Sequence, residues 1–271
     1  MTKLRVLDLF SGIGGFSLGL ERTGGFRTVA FCEIEPLPRR VLARHWPDVP
    51  CFEDVRKLRG PDVGPVDVIC GGYPCQPFST AGKRLGHADD RHLWPEFARL
   101  VEELRPAWVI GENVAGHVSM GLDDVLSDLE ALGYSARPFN IPAVGVGAPH
   151  RRERIWTIGH ANRDCKSVGA VDAQASVLPG AANAANAECI GLPGPWRPFN
   201  ASDKPQAEKW EANQPFNALG WPTEPPVRGA DDGVPAGLDA ARLKALGNAV
   251  VPQIPEMIGR AILAAELEAA E

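Results

Sequence analysis

Cys75 stands between two prolines in the stretch "GGYPCQPFS" (residues 71–79), directly after an apolar run. Each proline ring fixes φ and removes a backbone donor, so neither a regular helix nor a central strand runs through the segment. Cys75 therefore sits on a stiff loop at the C-terminal end of a predicted strand, the edge at which open α/β sheets bind ligands. A thiolate in that place is a nucleophile, given positive charge or a helix N-terminus to draw its pKa below about 8.5. Cys70, inside the strand itself, reads as a buried structural cysteine. Glu112 in "AWVIGENV" ends the next predicted strand, so its side chain can reach the same pocket. Buried against an apolar wall it would have a raised pKa and serve as an acid; standing alone it would read as a helix cap. Arg152 and Arg154 in "PHRRERIW" lie two apart, which puts them on one face if this stretch is a strand; a surface charge cluster is the plainer alternative.

A second group of residues suits a nucleoside ligand. "LDLFSGIGG" places a glycine loop between the first strand and the first helix, where the backbone can approach a ligand and the helix N-terminus offers unpaired N–H groups. The spacing departs from the dinucleotide fingerprint: Gly12 and Gly14 fit, but Ser17 occupies the third glycine position. Glu33 ends the second strand, where a carboxylate can accept from both ribose hydroxyls, or simply be a solvated residue at a helix start. Asp54 in "FEDVRKL" can accept from an adenine amino group, or be a cap or turn residue. Together the three fit an adenosine-containing cofactor without requiring a pyrophosphate.

The elements that must position these residues follow from periodicity. Strands are predicted at residues 4–10, 26–34, 66–72 and 107–114, and helices at 15–24, 36–46, 91–104 and 122–132. That alternation predicts an α/β fold with a doubly wound sheet. After Gly159 the chain becomes rich in Ala, Gly, Asn and Pro. Trp196, Trp210 and Trp221 are costly to leave exposed, which favours a small irregular subdomain over a solvated linker. Helical patterning returns from Leu238, breaks at "GNAVVPQIP", and ends in a helix of about residues 254–270.

Taken together and in order, "LDLFSGIGG", "GGYPCQPFS", "GENV", "RRERIW" and "LGNAVVPQ" resemble the cytosine-5 DNA methyltransferase family, over about residues 4–159 and 238–270. The resemblance implies a Rossmann-like S-adenosylmethionine-dependent methyltransferase sheet. Residues 1–160 with 238–271 would form the catalytic and cofactor-binding domain, and 161–237 a small target-recognition region. In this family a thiolate adds to C6 of an extruded cytosine so that C5 can take a methyl group. Cys75, Glu112, Arg152 and Arg154 match the catalytic positions, although His150 replaces the family glutamine. Implied cofactor contacts are Phe10, Ser11, Gly12, Ile13, Gly14 and Gly15, then Glu33, Ile34, Asp54, Val55 and Pro74, and finally Asn248 and Ala249. Implied substrate contacts are Gln76, Ser79, Lys83, Arg84, Asn113 and Val114, with Asn113 orienting the loop. Residues 79–92 resemble the family's mobile loop. No stretch matches the family motif between the recognition region and the final helix; "EPPVRGADDGVP", with Arg228, is the candidate substitute.

Composition agrees with such a protein. A hydrophobic share of 44% and a charged share of 23% are ordinary for a soluble globular chain, and no run approaches membrane-spanning length. A cytoplasmic location is expected, with duplex DNA and a cognate restriction endonuclease as partners and a monomeric state. The six cysteines include no C-x-x-C pair, so neither a metal site nor a disulfide framework is expected. A net charge of −6 argues against bulk attraction to nucleic acid but leaves room for a local basic cleft. Three other readings stay open: a tRNA cytosine methyltransferase, a decayed methyltransferase that only binds nucleic acid, and, from the first βαβ unit alone, a nicotinamide-dependent oxidoreductase.

Overall fold

A computed structural model of the protein describes residues 2–74, 93–148, 150–162, 242 and 244–269. Cys75, Gln76, Ser79, Lys83 and Arg84 lie outside the described residues, as does the expected recognition region beyond residue 162. Among the described residues seven strands form one sheet: β1 (Leu4–Leu9), β2 (Phe26–Cys32), β3 (Cys51–Phe52), β4 (Val68–Gly71), β5 (Trp108–Val114), β6 (Tyr134–Asn140) and β7 (Arg154–Ala161). Their order is β3-β2-β1-β4-β5-β7-β6. The first five strands are parallel to one another, whereas β7 runs antiparallel to both β5 and β6.

The chain winds outward from β1 to β3 and then restarts on the other side of β1 with β4. This reversal opens a crevice at the C-terminal ends of β1 and β4, the position at which such sheets bind ligands. The β6–β7 pair was not among the strands predicted from periodicity. Its residues Ser135–Arg137 are only half-buried at the sheet edge, so the apolar alternation that betrays a strand is weak there.

Helices cover both faces: α1 (Gly15–Arg22), α2 (Pro36–His45), α3 (Gly60–Val63), α4 (Trp94–Leu104), α5 (Leu122–Ala131) and α6 (Gln253–Glu268). Alternate strand residues divide the core. Leu7, Leu9, Ile69 and Val109 face α4 and α5, meeting Phe97, Leu100, Val125 and Leu129. Val6, Val68, Trp108 and Ile110 point the other way, toward Phe16 and Leu20 of α1 and Ile254, Ile258 and Ile262 of α6. Spacings of three or four residues within each helix put those side chains on a single stripe.

The packing of α1 against α6 and α2 explains three glycines. A Cβ on Gly15 would lie 2.6 Å from the Val250 carbonyl oxygen, and one on Gly19 would overlap that of Pro252. At Gly14 the φ of +85° already disfavours a side chain, and a Cβ would meet the Trp46 ring at 2.7 Å. The end of the chain therefore returns to lie directly on the first βα unit. Among the described residues no helix is long and apolar enough to cross a membrane.

Gly19→Ala should push Pro252 and the start of α6 away from α1 and destabilise the fold by about 1–3 kcal/mol. A urea unfolding curve compared with that of the parent chain checks this, and an unchanged midpoint would contradict the packing account.

Candidate active site

The glycine loop begins where β1 ends. Phe10 leaves the strand at φ 52°, an uncommon conformation for a residue other than glycine, and Gly12 follows at φ 53°. Nothing lies within 4 Å of the place where a Cβ on Gly12 would stand. Its N–H donates to Glu33 Oε2 at 2.7 Å, and Glu33 Oε1 accepts from the Glu35 N–H at 2.7 Å. Glu33 thus ties the loop after β1 to the turn after β2. Each of its oxygens keeps a further lone pair, so the expected acceptor role toward a ribose is compatible with these bonds.

The start of α1 is used differently from the sequence expectation. Asp8, fully buried in β1, accepts from the Ser17 hydroxyl at 2.7 Å and from the Ser17 N–H at 3.3 Å. The departure at the third glycine position is thereby explained: Ser17 answers a carboxyl group in the strand beneath it. An N–H expected to face a ligand instead faces the chain's own Asp8. Burial pushes the Asp8 pKa up to about 8, with the bonds from Ser17 opposing.

One cavity of about 560 Å³ runs along the C-terminal edge of the sheet, within the size range of small-molecule sites. Phe10, Ser11, Gly12, Glu33 and Ile34 line one end, with Asp54 and Val55 from the turn after β3. Asp54 is held by Arg56, whose Nε and Nη2 reach its two oxygens at 2.9 and 3.2 Å, and these bonds lower its pKa. Asn248 and Ala249 close the cavity from the returning C-terminal segment. Ile13, Gly14 and Gly15, expected among the cofactor contacts, are not in this lining. The two glycines serve the helix packing described above.

The other end of the same cavity is formed by Gly72, Tyr73 and Pro74 after β4, by Glu112, Asn113 and Val114 at the end of β5, and by Arg152 and Arg154. Arg154 opposes Val114 in the β5–β7 register, so it is the diagonal neighbour of Glu112 on one face of the sheet. Arg154 Nε lies 3.0 Å from Glu112 Oε1. The other oxygen, Oε2, lies over Gly72, where an added Cβ would come within 3.0 Å of it. Burial raises the Glu112 pKa, opposed by the charges of Arg154 and Arg152 and the hydrogen bond from Arg154.

Arg152 and Arg154 do not share a strand face as the sequence suggested. The strand begins at Arg154, and Arg152 precedes it with φ 36°. Arg152 reaches the cavity from the loop and donates to the Ala249 carbonyl at 2.8 Å, pinning the returning segment. Burial and the nearby Arg154 charge lower its pKa. His150 lines a neighbouring cleft with Gln253 and is exposed.

Asn113 Nδ2 donates to the Tyr73 carbonyl at 3.1 Å, and Asn113 Oδ1 accepts from the Val114 N–H at 2.9 Å. This bond holds the chain two residues before Cys75. Sequence reading did not single out Asp8, Tyr73 or His117. Asp8 had a signal, a carboxylate within an apolar strand; Tyr73 and His117 stood beside recognised motifs. No cluster of three or more metal-ligating side chains occurs among the described residues.

The model of the C-5 cytosine-specific DNA methylase family matches residues 4–188, more than half of the chain. The chain belongs to this family. It is 35% identical over 176 residues to the Type II methyltransferase M.NlaIV of Neisseria lactamica, covering 59% of this chain and 42% of that one. With the Type II methyltransferase M.NgoMIV of Neisseria gonorrhoeae it shares 37% identity over 161 residues, 58% of this chain and 51% of the relative. The chain thus spans about half the length of these relatives. A prophage-encoded E. coli protein, provisionally described as a DNA modification methyltransferase, superimposes with a TM-score of 0.50 at 31% identity, covering 59% of this chain and 47% of that one. A structure of Spodoptera frugiperda DNMT2, at 23% identity and TM-score 0.53 over 66% of this chain and 56% of that one, shares the fold. The α/β methyltransferase sheet expected from the sequence is thereby shown.

Asp8 makes stability depend on pH in a definite direction. As pH rises from about 4 to about 8 the unfolded chain gives up the Asp8 proton while the folded chain keeps it, so folding loses stability through that window. Asp8→Asn removes this dependence. Its stability relative to the parent should improve by on the order of a few kcal/mol between pH 5 and pH 8, read from urea unfolding at both values. A difference independent of pH would show that Asp8 is ionised in the fold.

Proposed function

We propose that this chain is a DNA (cytosine-5) methyltransferase that acts through a covalent bond between Cys75 and C6 of the target cytosine. The observation that carries the proposal is the continuity of the cavity. Its Glu33 end suits an adenosine-containing ligand, and its Glu112 end lies over the exit of β4, three residues before Cys75.

S-adenosylmethionine, bound at the Glu33 end, would supply an electrophilic methyl group. The open space over Gly12, the remaining lone pairs of Glu33 and the exposed Ile34 side chain are suited to hold its sugar and base. Ser11 and Asn248 contribute further polar groups there, and Asp54 an acceptor for an adenine amino group. Val55, Pro74 and Ala249 supply apolar and backbone surface.

Cytosine C5 is too poor a nucleophile to take the methyl group unaided. Addition of the Cys75 thiolate to C6 moves the C5–C6 electron pair into the ring, and charge develops toward N3. Glu112, its pKa raised by burial, is placed to hydrogen-bond or protonate N3, while Arg154 holds its carboxyl group and Arg152 adds positive charge nearby. The enamine carbon C5 then takes the methyl group. Loss of the C5 proton to a base and departure of the Cys75 sulfur restore the double bond. Asn113 keeps the approach to Cys75 in line through the Tyr73 carbonyl. Gln76, Ser79, Lys83, Arg84 and Val114 are proposed contacts to the extruded nucleotide and its phosphates.

The C-5 cytosine-specific DNA methylase family and the relatives named as Type II methyltransferases support DNA as the substrate, taken here to be duplex; a cognate restriction endonuclease is the partner we propose. We assign target recognition to residues 161–237 because that segment interrupts the matched motifs. A cytoplasmic monomer fits this role.

Bisulfite sequencing of DNA from a methylation-deficient host expressing the chain tests the proposal. Cytosines should be protected at one recurring sequence, and protection should vanish with Cys75→Ala. Glu112→Gln should lower the single-turnover rate by about 100-fold or more. No protection by a folded, cofactor-bound wild type, together with methyl transfer to tRNA, would replace DNA by RNA as the substrate.

A further inference from the structure

Tyr73 is gripped at three points. Asn113 donates to its carbonyl oxygen at 3.1 Å, and its ring packs against Trp94 and Phe97 and fills the space where a Cβ on Gly111 would stand. The third grip is a hydrogen bond of 2.9 Å between its hydroxyl and Nε2 of His117. His117 lies on a single 3-10 turn, Ala115–Ser119, directly after β5, and both side chains of the pair are buried.

The arrangement is more polar than packing alone requires. Tyr73 stands among Trp94 and Phe97, where a phenylalanine ring would fill the same space, and its hydroxyl would be costly there without a partner. His117 is likewise a costly residue to bury unless bonded. Placing both to satisfy each other gives a directional contact where an apolar pair would give a sliding one.

The ends of the contact matter. Tyr73 is two residues before Cys75, and His117 is five residues after Glu112. The chain that carries the proposed nucleophile is therefore fastened to the strand end that carries the proposed acid, once through Asn113 and once through His117. Glu112 points to the opposite face of β5 from Asn113, so these bonds leave its carboxyl group to Arg154.

We infer that Tyr73 and His117 are positioning residues, whose hydrogen bond holds the exit of β4 in register with the end of β5 and so sets the distance between Cys75 and Glu112 during catalysis. Neither side chain touches the reacting base in this role. The inference rests on the proposed methyltransferase reaction.

The test is a double-mutant cycle built from Tyr73→Phe, His117→Leu and the pair, with wild type alongside. Single-turnover methyl transfer should fall by about 10-fold in each single variant. The double variant should lose no more than either single, because all three lack the same bond. Binding constants for S-adenosylmethionine and for duplex DNA should stay within about twofold of wild type, so the loss appears in kcat and not in KM. Alkylation of Cys75 by iodoacetamide, followed on its peptide by mass spectrometry, supplies a readout independent of methyl transfer, and its rate should change in the same three variants. An unchanged transfer rate in Tyr73→Phe, or losses that multiply in the double variant, would overturn the inference. If His117→Leu fails to fold, the Tyr73→Phe rates and alkylation alone decide the matter. An inactive wild type with normal cofactor binding would instead overturn the reaction on which the inference rests.

Discussion

A carboxyl group taken out of water must be neutralised or matched by charge, and the active-site edge of this sheet is organised around one such group. Glu112 is largely withdrawn from solvent at the end of β5, its side chain 14% exposed, and is met by Arg154 at 3.0 Å. A parallel neighbour would bring only its own C-terminal end to that edge. Because β7 runs antiparallel, its first residue stands where β5 finishes, and Arg152 just before it reaches the same cavity. The departure from a purely parallel sheet is thus what delivers cationic side chains to the acid. At Glu112 two influences oppose each other: desolvation raises its pKa, and the charges of Arg154 and Arg152 draw it down.

The opposite end of the cavity depends on return of the chain. Residues 249–256 lie on α1 so closely that Gly15 and Gly19 have no room for a side chain. Arg152 bonds the Ala249 carbonyl from the far side, and Lys244 reaches Glu35 at 2.8 Å beside the mouth of the cavity. These contacts join segments from both ends of the sequence around the space assigned to the cofactor. Beneath it, the Asp8–Ser17 pair occupies the start of α1, so the open face of the loop is left to Gly12 and to Glu33.

Much of this was legible in the sequence because it rests on local rules. The alternation of apolar runs and amphipathic helices located β1, β2, β4 and β5 and the helices between them within a few residues. Glu33, Asp54, Glu112 and Asn113, picked out as residues at or just past strand ends, line one cavity because such ends face one edge of the sheet. Other features depend on contacts between distant segments. Gly14 and Gly15 looked like ligand-contacting glycines, and only the returning C-terminal chain and Trp46 reveal their packing role. Arg152 and Arg154 looked like strand neighbours, whereas Arg152 has φ 36° and lies outside the strand. The edge strand β6 carried too little alternation to be read, and the Tyr73–His117 bond links residues that no local pattern connects.

The central claim is that one cavity brings the Cys75 thiolate to C6 of a cytosine while Glu112 supports the ring. Its most direct test is a trap: incubation of the chain and S-adenosylmethionine with duplex DNA in which 5-fluorocytosine replaces cytosine. Fluorine at C5 cannot leave as the proton does, so the reaction stops with the sulfur still attached to C6. The account predicts a DNA-linked protein whose modified peptide carries the adduct on Cys75, and strongly slowed trapping in Glu112→Gln. An adduct on another cysteine, or methyl transfer to ordinary DNA without any trapped complex, would contradict it.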